Sequence, residues 1–354
     1  MNTAVIVAEQ EQRALSNNLQ PLSTEIVVDM FASSQDIKPS SRSLYKRTLK
    51  QYFSWVESKG YNLNQMSIKE LIEYKEELLA KGMSTLTISS YITSLRKFYE
   101  WAEANKFSPN IAAALHSPKR RQQFRKQPLK PEQATRLLTY SREERAGEQA
   151  EAALKRAEQR QELSEEKIAT IKKHFETTSL RDYAIVNLLL RTGLRCIEVV
   201  RADLGDITFK GGQRVLLVQG KGRDDKDSFV ILTEKAWQPM ADYIKSSRMG
   251  AGEKEPLFAS ESNNNKGGRL TTRAISFLVK ESLKSIGLDD KAYTAHSLRH
   301  TAAVNILRAT NWNIEIAQRT LRHTNPATTQ IYTETAKEEE RLSNAGERFL
   351  DNLY

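Results

Sequence analysis

Three short stretches in the second half of the chain hold more arginine and histidine than folding alone requires: RTGLRCIEVV at 191–200, AHSLRH at 295–300 and LRHTNPATTQIYTE at 321–334. Arg195 falls just after a glycine turn, at the start of a short helix, and Glu198 lies one turn later on the same face to hold its guanidinium. His296 and Arg299 are three apart, so on a helix both side chains point at one small anion. Asn325 and Pro326 suit an N-cap and a first helical residue, which puts His323 at the mouth of that helix and Tyr332 about two turns in. Between the first two stretches, GKGRDDKD at 220–227 offers Lys221 and Lys226 in a polar turn. Permanently charged, bidentate guanidiniums next to imidazoles are the side chains of anion binding. Each fragment alone has an ordinary explanation, a surface ion pair or a core histidine. Three of the chain's five histidines falling in these stretches is harder to explain that way.

The elements that would position these groups follow from periodicity. Leu180 to Leu190, LRDYAIVNLLL, is almost wholly apolar and predicts a buried central helix ended by Gly193. The runs 214–219 and 228–232 flank the GKGRDDKD turn and predict a β-hairpin with a long polar tip. Helices dominate again from Glu234 onward. The fold class expected is mainly α with a small β-hairpin or sheet.

Upstream, residues 22–116 recur at helical spacing, with Tyr45, Leu49, Tyr52, Phe53 and Val56 first, and Ser67 and Ser84 at N-cap positions. They predict a small helical domain. Arg42, Lys46 and Lys50 repeat every four residues along one flank of its first strong helix, as a phosphate-contacting row or as a merely solvated face. The basic, proline-bounded segment 117–130, SPKRRQQFRKQPLK, reads as an exposed linker. Residues 131–354 form the second domain, interrupted at about 141–176 by a mixed-charge segment that suits an exposed helical hairpin or long solvated helix. Residues 1–21 read as a mobile tail.

Composition narrows the classes. The net charge of +10, from 54 Lys and Arg against 44 Asp and Glu, favours polyanionic partners. A single cysteine, Cys196, excludes an internal disulfide framework and a multi-thiolate zinc site. There is no GxxxxGK[ST] loop and no carboxylate cluster of the two-metal kind. No apolar run approaches the roughly 20 residues of a bilayer span.

The set TGLRxxE, the GKG hairpin, HxLRH, and LxH followed nine residues later by Tyr332 resembles the tyrosine recombinase family of Xer-like recombinases and phage or transposon integrases. The match runs in family order from Leu129 to about Ala336. The resemblance implies a helical core-binding domain followed by a catalytic domain that cuts and rejoins DNA. Tyr332 would attack a DNA phosphorus to give a 3′-phosphotyrosine and a free 5′-hydroxyl. Arg195 and Arg299 would clamp the nonbridging oxygens. Lys221 would protonate the leaving 5′-oxygen, with Lys226 as the alternative general acid. His296 would accept the tyrosine proton or hold the phosphate, His323 would hydrogen-bond it, and Glu198 would support.

The resemblance further implies double-stranded DNA core sites as substrate and a homotetramer on two duplexes, docked through a C-terminal tail with Leu342, Phe349, Leu350 and Leu353 as apolar anchors. It implies no metal, no cofactor, no membrane, and a cytoplasmic, nucleoid-associated location. Integration, excision and dimer resolution are equally open. A type IB topoisomerase-like relaxing enzyme and a catalytically silent DNA-binding relative are the alternatives. His300 and Tyr354 are given no chemical role.

Overall fold

The computed structural model describes residues 23–118, 126–220, 223–323, 325, 329–334, 337 and 341, and divides into two compact units between Gln122 and Gln123. That division falls inside the segment read as a linker.

Among the described residues the first unit holds four α-helices, α1 (Thr24–Ser34), α2 (Pro39–Ser58), α3 (Ile68–Ala80) and α4 (Thr85–Ala104). Two of their starts were legible: Ser67 Oγ accepts from Lys69 N at 3.2 Å and Ser84 Oγ accepts from Thr87 N at 3.1 Å, while Pro39, in the first turn of α2, was not singled out. The apolar faces meet around an aromatic centre. Tyr52 and Tyr99 are buried and share a 2.7 Å hydrogen bond between their hydroxyls, so neither buries an unpaired oxygen. Each such side chain contributes about 1.5–3 kcal/mol through burial.

The row Arg42, Lys46 and Lys50 lies alongside α1. Lys46 pairs with Asp29 at 2.8 Å, Lys50 pairs with Glu25 at 2.9 Å, and an Arg42 Nη sits 3.5 Å from the Gln35 carbonyl. Acidic residues of the preceding helix therefore balance two of the three cations.

The second unit is built on α7 (Glu165–Thr192), which packs against α6 (Arg145–Gln159), α9 (Glu234–Ser247) and α11 (Ala295–Ala309). Before it come α5 (Pro131–Thr139) and a π-helical stretch at Tyr140–Glu144. Ala184, Ile185, Val186, Leu188 and Leu189 are fully buried at its centre. The mixed-charge segment 141–176 is α6 plus the N-terminal half of α7, a helical hairpin continuous with the buried helix rather than an appendage. One of its arginines is not solvated. Arg145 is 5% exposed, pairs with Asp182 at 3.1 Å and donates to Ser282 Oγ at 3.1 Å, while Arg181 holds the other Asp182 oxygen at 2.8 Å.

Gly193 ends α7 at φ 61°. A Cβ there would lie 2.7 Å from the Leu321 side chain and 3.3 Å from Ala302 Cβ, so this glycine permits both a left-handed cap and close helix approach. After α8 (Cys196–Arg201) the chain forms an antiparallel sheet in the order β1 (Ile207–Lys210), β2 (Gln213–Val218), β3 (Ser228–Ile231). The expected hairpin is β2 and β3, in register Val215↔Ile231. Strand β1, pairing Ile207↔Leu216, was not anticipated. Helices α10 (Thr272–Ser285), α11 and α12 (Ile314–Leu321) follow the sheet. No helix among the described residues is long and apolar enough to cross a membrane.

Candidate active site

Arg195 is the N-cap of α8, and Glu198 sits at the third helical position. Glu198 Oε2 accepts from the Arg195 backbone N–H at 2.8 Å, and Oε1 accepts from Arg195 Nη1 at 2.7 Å. The capping interaction thus fixes the carboxylate and the carboxylate fixes the guanidinium. Glu198 is only 2% exposed. Burial raises the pKa of its carboxyl, but Arg322, the Arg195 backbone N–H, Arg195 and Arg299 outweigh that and hold it below the usual carboxylate range.

Arg299, on α11, is 1% exposed. One Nη donates to the Gly193 carbonyl and the other to the Leu321 carbonyl at 2.6 Å, tying the ends of α7 and α12 to one guanidinium. Its Nε is buried without a hydrogen-bond partner among the described residues. Burial and the Arg195 charge bring its pKa down to about 10, so the group stays protonated at neutral pH.

The aromatic rings form a chain. His296 stands edge-on to His300 with centroids 4.7 Å apart, His300 edge-on to Tyr332 at 4.9 Å, and His323 lies parallel to Tyr332 at 5.7 Å. His300, left without a role by sequence reasoning, is therefore the spacer between His296 and Tyr332. His323 Nδ1 lies 2.8 Å from Thr329 Oγ1, which sets the ring's orientation. Tyr332 is 2% exposed within the helical turn 329–334. Burial pushes its phenol up while Arg299 and Arg195 pull it back. Desolvation and the surrounding cations lower His296 to about 4 and His300 and His323 to about 3, so all three imidazoles are neutral at pH 7.

Arg195 borders two cavities. One, of about 580 Å³, is walled by Arg195, Glu198, Gly220, Arg322 and His323. The other, of about 910 Å³, is walled by Arg195, Lys126, Arg273, Lys280, His296 and Arg299 among others. His296 is exposed to this second space. A site with this many cations and neutral imidazoles is suited to a polyanion, with donors ready where negative charge would collect.

Of the residues singled out from sequence, the fold gathers Arg195, Glu198, Arg299, His323 and Tyr332 into contact, with His296 at the rim. Lys221 and Pro326 lie outside the described residues, as do Leu342, Phe349, Leu350, Leu353 and Tyr354. Gly220, the residue before Lys221, lines the smaller cavity, and its carbonyl accepts from Arg201 at 3.1 Å. Lys226 is engaged elsewhere: its ammonium donates to Asp203 and Asp206, each at 2.6 Å. Burial opposes its charge, but those two carboxylates win and raise its pKa. Arg322 was missed. It is the left-handed cap of α12 at φ 57°, and its Nη2 donates to Glu198 Oε2 at 3.1 Å. The available signal was its place beside His323, inside a motif already recognised.

With this geometry in view, two family models match the chain: the phage integrase family over residues 161–339, and the phage integrase N-terminal SAM-like domain over residues 29–106. The tyrosine recombinase XerD of Bradyrhizobium diazoefficiens is 26% identical over 325 residues, covering 91% of this chain and 93% of that protein. The tyrosine recombinase XerC of Caldanaerobacter subterraneus subsp. tengcongensis is 40% identical over 154 residues, and there the match spans 43% of this chain and 41% of that protein's length. Among solved structures, the XerH site-specific recombinase bound to palindromic difH substrate in a post-cleavage complex superposes with a TM-score of 0.67 at 17% identity, covering 93% of this chain and 86% of that one. A lambda integrase dimer bound to a COC' core site gives 0.58 at 15% identity, covering 85% and 95%. These two likenesses are likenesses of fold.

Proposed function

We propose that this chain, which belongs to the phage integrase family, is a site-specific DNA recombinase that cleaves and rejoins double-stranded DNA through a 3′-phosphotyrosine at Tyr332. The observation that carries the reading is the gathering of Arg195, Arg299 and His323 about Tyr332, with Arg195 and His323 also lining one cavity. The phenol attacks phosphorus, and covalent catalysis divides one strand transfer into two. The guanidiniums of Arg195 and Arg299 stabilise the charge gathering on the nonbridging oxygens. Neutral His323 donates a hydrogen bond to the phosphate, and neutral His296 accepts the tyrosine proton or holds the phosphate.

Lys221 is the general acid for the leaving 5′-oxygen. Support comes from Gly220 lining the Arg195 cavity and from the two carboxylates that occupy Lys226. Glu198 positions Arg195 and touches no substrate. The chemistry asks for neither metal nor cofactor, because guanidiniums supply the charge and the phosphotyrosine conserves the bond energy.

Residues 22–116 serve as the core-binding domain and 131–354 as the catalytic domain, joined by 117–130. Lys46 and Lys50 then contact DNA by exchanging Asp29 and Glu25 for phosphates, and Arg42 by leaving the Gln35 carbonyl. The working form is a homotetramer on two duplexes, docked through the tail that carries Leu342, Phe349, Leu350 and Leu353. Such an enzyme works at the nucleoid, in the cytoplasm. The test is incubation of the protein with a nicked duplex carrying a core site, in EDTA, followed by SDS gel electrophoresis. A protein–DNA adduct that maps to Tyr332 is expected; an adduct mapping elsewhere would overturn the assignment.

A further inference from the structure

Arg322 has a conformation and an environment that a surface arginine would not keep. Its backbone is left-handed at φ 57° and ψ 44°, a region that disfavours any residue carrying a Cβ. Its side chain is nine-tenths buried, at 9% exposure, in the wall of the cavity it shares with Arg195 and His323. One Nη donates to the Thr320 carbonyl at 2.8 Å and the other to Glu198 Oε2 at 3.1 Å, and Nε is buried without a partner among the described residues. Arg195 Nη1 takes the other oxygen, Oε1, at 2.7 Å, and an Arg299 Nη lies 4.0 Å from Oε2. One buried carboxylate is thus divided among three guanidiniums, and Arg322 occupies the oxygen that faces Arg299.

We propose that Arg322 is a positioning residue for strand cleavage, which together with the Arg195 backbone N–H holds Glu198 by Oε2, so that Arg195 is presented through Oε1 and the carboxylate stays 4.0 Å from Arg299. The proposal rests on the reading of Tyr332 as nucleophile. Without Arg322, the Glu198 carboxylate turns toward Arg299, and the site loses both a positive charge and its aim. Glu198 is not orphaned by the loss, since Arg195 and Arg299 remain beside it, so folding tolerates the change. Glycine in particular accepts the left-handed cap.

The charge has a second, separable consequence. His323 faces Arg322, Arg299, Arg195 and Glu198 electrostatically, packs on Tyr332 and meets Thr329. Removing one of the three cations eases protonation of His323, so its titration moves upward in pH.

The experiment compares wild type with Arg322→Gly and Arg322→Lys in three readouts: the single-turnover rate of adduct formation on a nicked duplex, the Kd for that duplex, and the His323 titration followed by NMR. Arg322→Gly is expected to cleave at least tenfold more slowly with Kd changed less than threefold, to titrate His323 at higher pH, and to fall in rate on the acid side where wild type holds. Arg322→Lys should restore the His323 titration and part of the rate. An unchanged rate and titration in Arg322→Gly would overturn the proposal, as would a rate loss matched by an equal loss of DNA affinity or by a lowered melting temperature without any shift of His323. Absence of a Tyr332 adduct in wild type would instead strike the nucleophile assignment, and the NMR titration still reads the Arg322 contact.

Discussion

The ring of His323 lies parallel to that of Tyr332, with planes 7° apart and centroids separated by 5.7 Å. Stacking of this kind holds the phenol while leaving its hydroxyl to be governed by the guanidiniums around it. Removing only the hydroxyl should therefore abolish chemistry and spare the fold. Tyr332→Phe is expected to form no SDS-resistant adduct and to change unfolding free energy by no more than about 1.5 kcal/mol, the worth of a typical hydrogen bond. Urea denaturation and an adduct gel read the two effects; a residual adduct would sink the assignment.

Stability should depend on the site's three imidazoles, two buried and His296 at the exposed rim, in a definite direction. His296, His300 and His323 have folded pKa values of about 4, 3 and 3, all below the ordinary 6.5. Unfolding lets each take up a proton that the fold refuses, so their contribution is complete above about pH 6.5 and is lost as pH falls toward 4 and 3. The melting temperature should drop steeply across that window, and replacing the fully enclosed His300 with glutamine should flatten the drop. A melting temperature that stays level from pH 7 to 4 would contradict the burial argument.

Glu198 compensates Arg195, Arg299 and Arg322 while 2% exposed. Glu198→Ala leaves those cations without a counter-charge and is expected to cost about 3–5 kcal/mol. An oxyanion should restore part of this, since the vacated cavity is lined by guanidiniums. Thermal melts with added sulfate should show a larger gain for the variant than for wild type; equal gains would mean that the cations are not directed at one anion.

The same reasoning applies at a distance from the chemistry. Asp182 holds both Arg145 and Arg181 while itself 2% exposed, and through Arg145 it fastens the charged hairpin to α7 and α10. Asp182→Ala should destabilise the second unit by about 3–5 kcal/mol, and limited proteolysis should then cut first within 145–176. Protection of that segment in the variant would show that the hairpin is anchored by other contacts.

Local devices were legible in the sequence and distant ones were not. The Arg195–Glu198 pair, the Gly193 cap, the Ser67 and Ser84 caps and the β2–β3 hairpin each depend on residues a few positions apart, where spacing determines geometry. Arg322 reaches Glu198 across 124 positions, and Arg145 reaches Ser282 across 137. Nothing in periodicity marks either arginine as buried, because a charged residue is assigned to solvent until its partner is known. Strand β1 escaped for a related reason: Phe209 is exposed, so its four residues lack the alternation that betrays a half-buried strand. The row Arg42, Lys46 and Lys50 was seen correctly as a row, but its acidic neighbours on α1 come from another helix.

The two hairpin lysines remain to be separated by function, and leaving-group chemistry can do it. Lys226 is bound to Asp203 and Asp206, with Arg269 on the far side of Asp203, so its loss disturbs a structural network at the base of the sheet. Lys226→Ala should lower the melting temperature and slow cleavage only in proportion. Lys221→Ala should instead melt normally and slow cleavage by about 10²–10⁴-fold, the usual worth of a positioned general acid. A substrate with sulfur in place of the bridging 5′-oxygen releases a thiolate that needs no proton. On that substrate Lys221→Ala should approach the wild-type rate, while Lys226→Ala should gain nothing. Rescue of Lys226→Ala alone would exchange the two roles and require the hairpin to release Asp203 and Asp206 when DNA is bound.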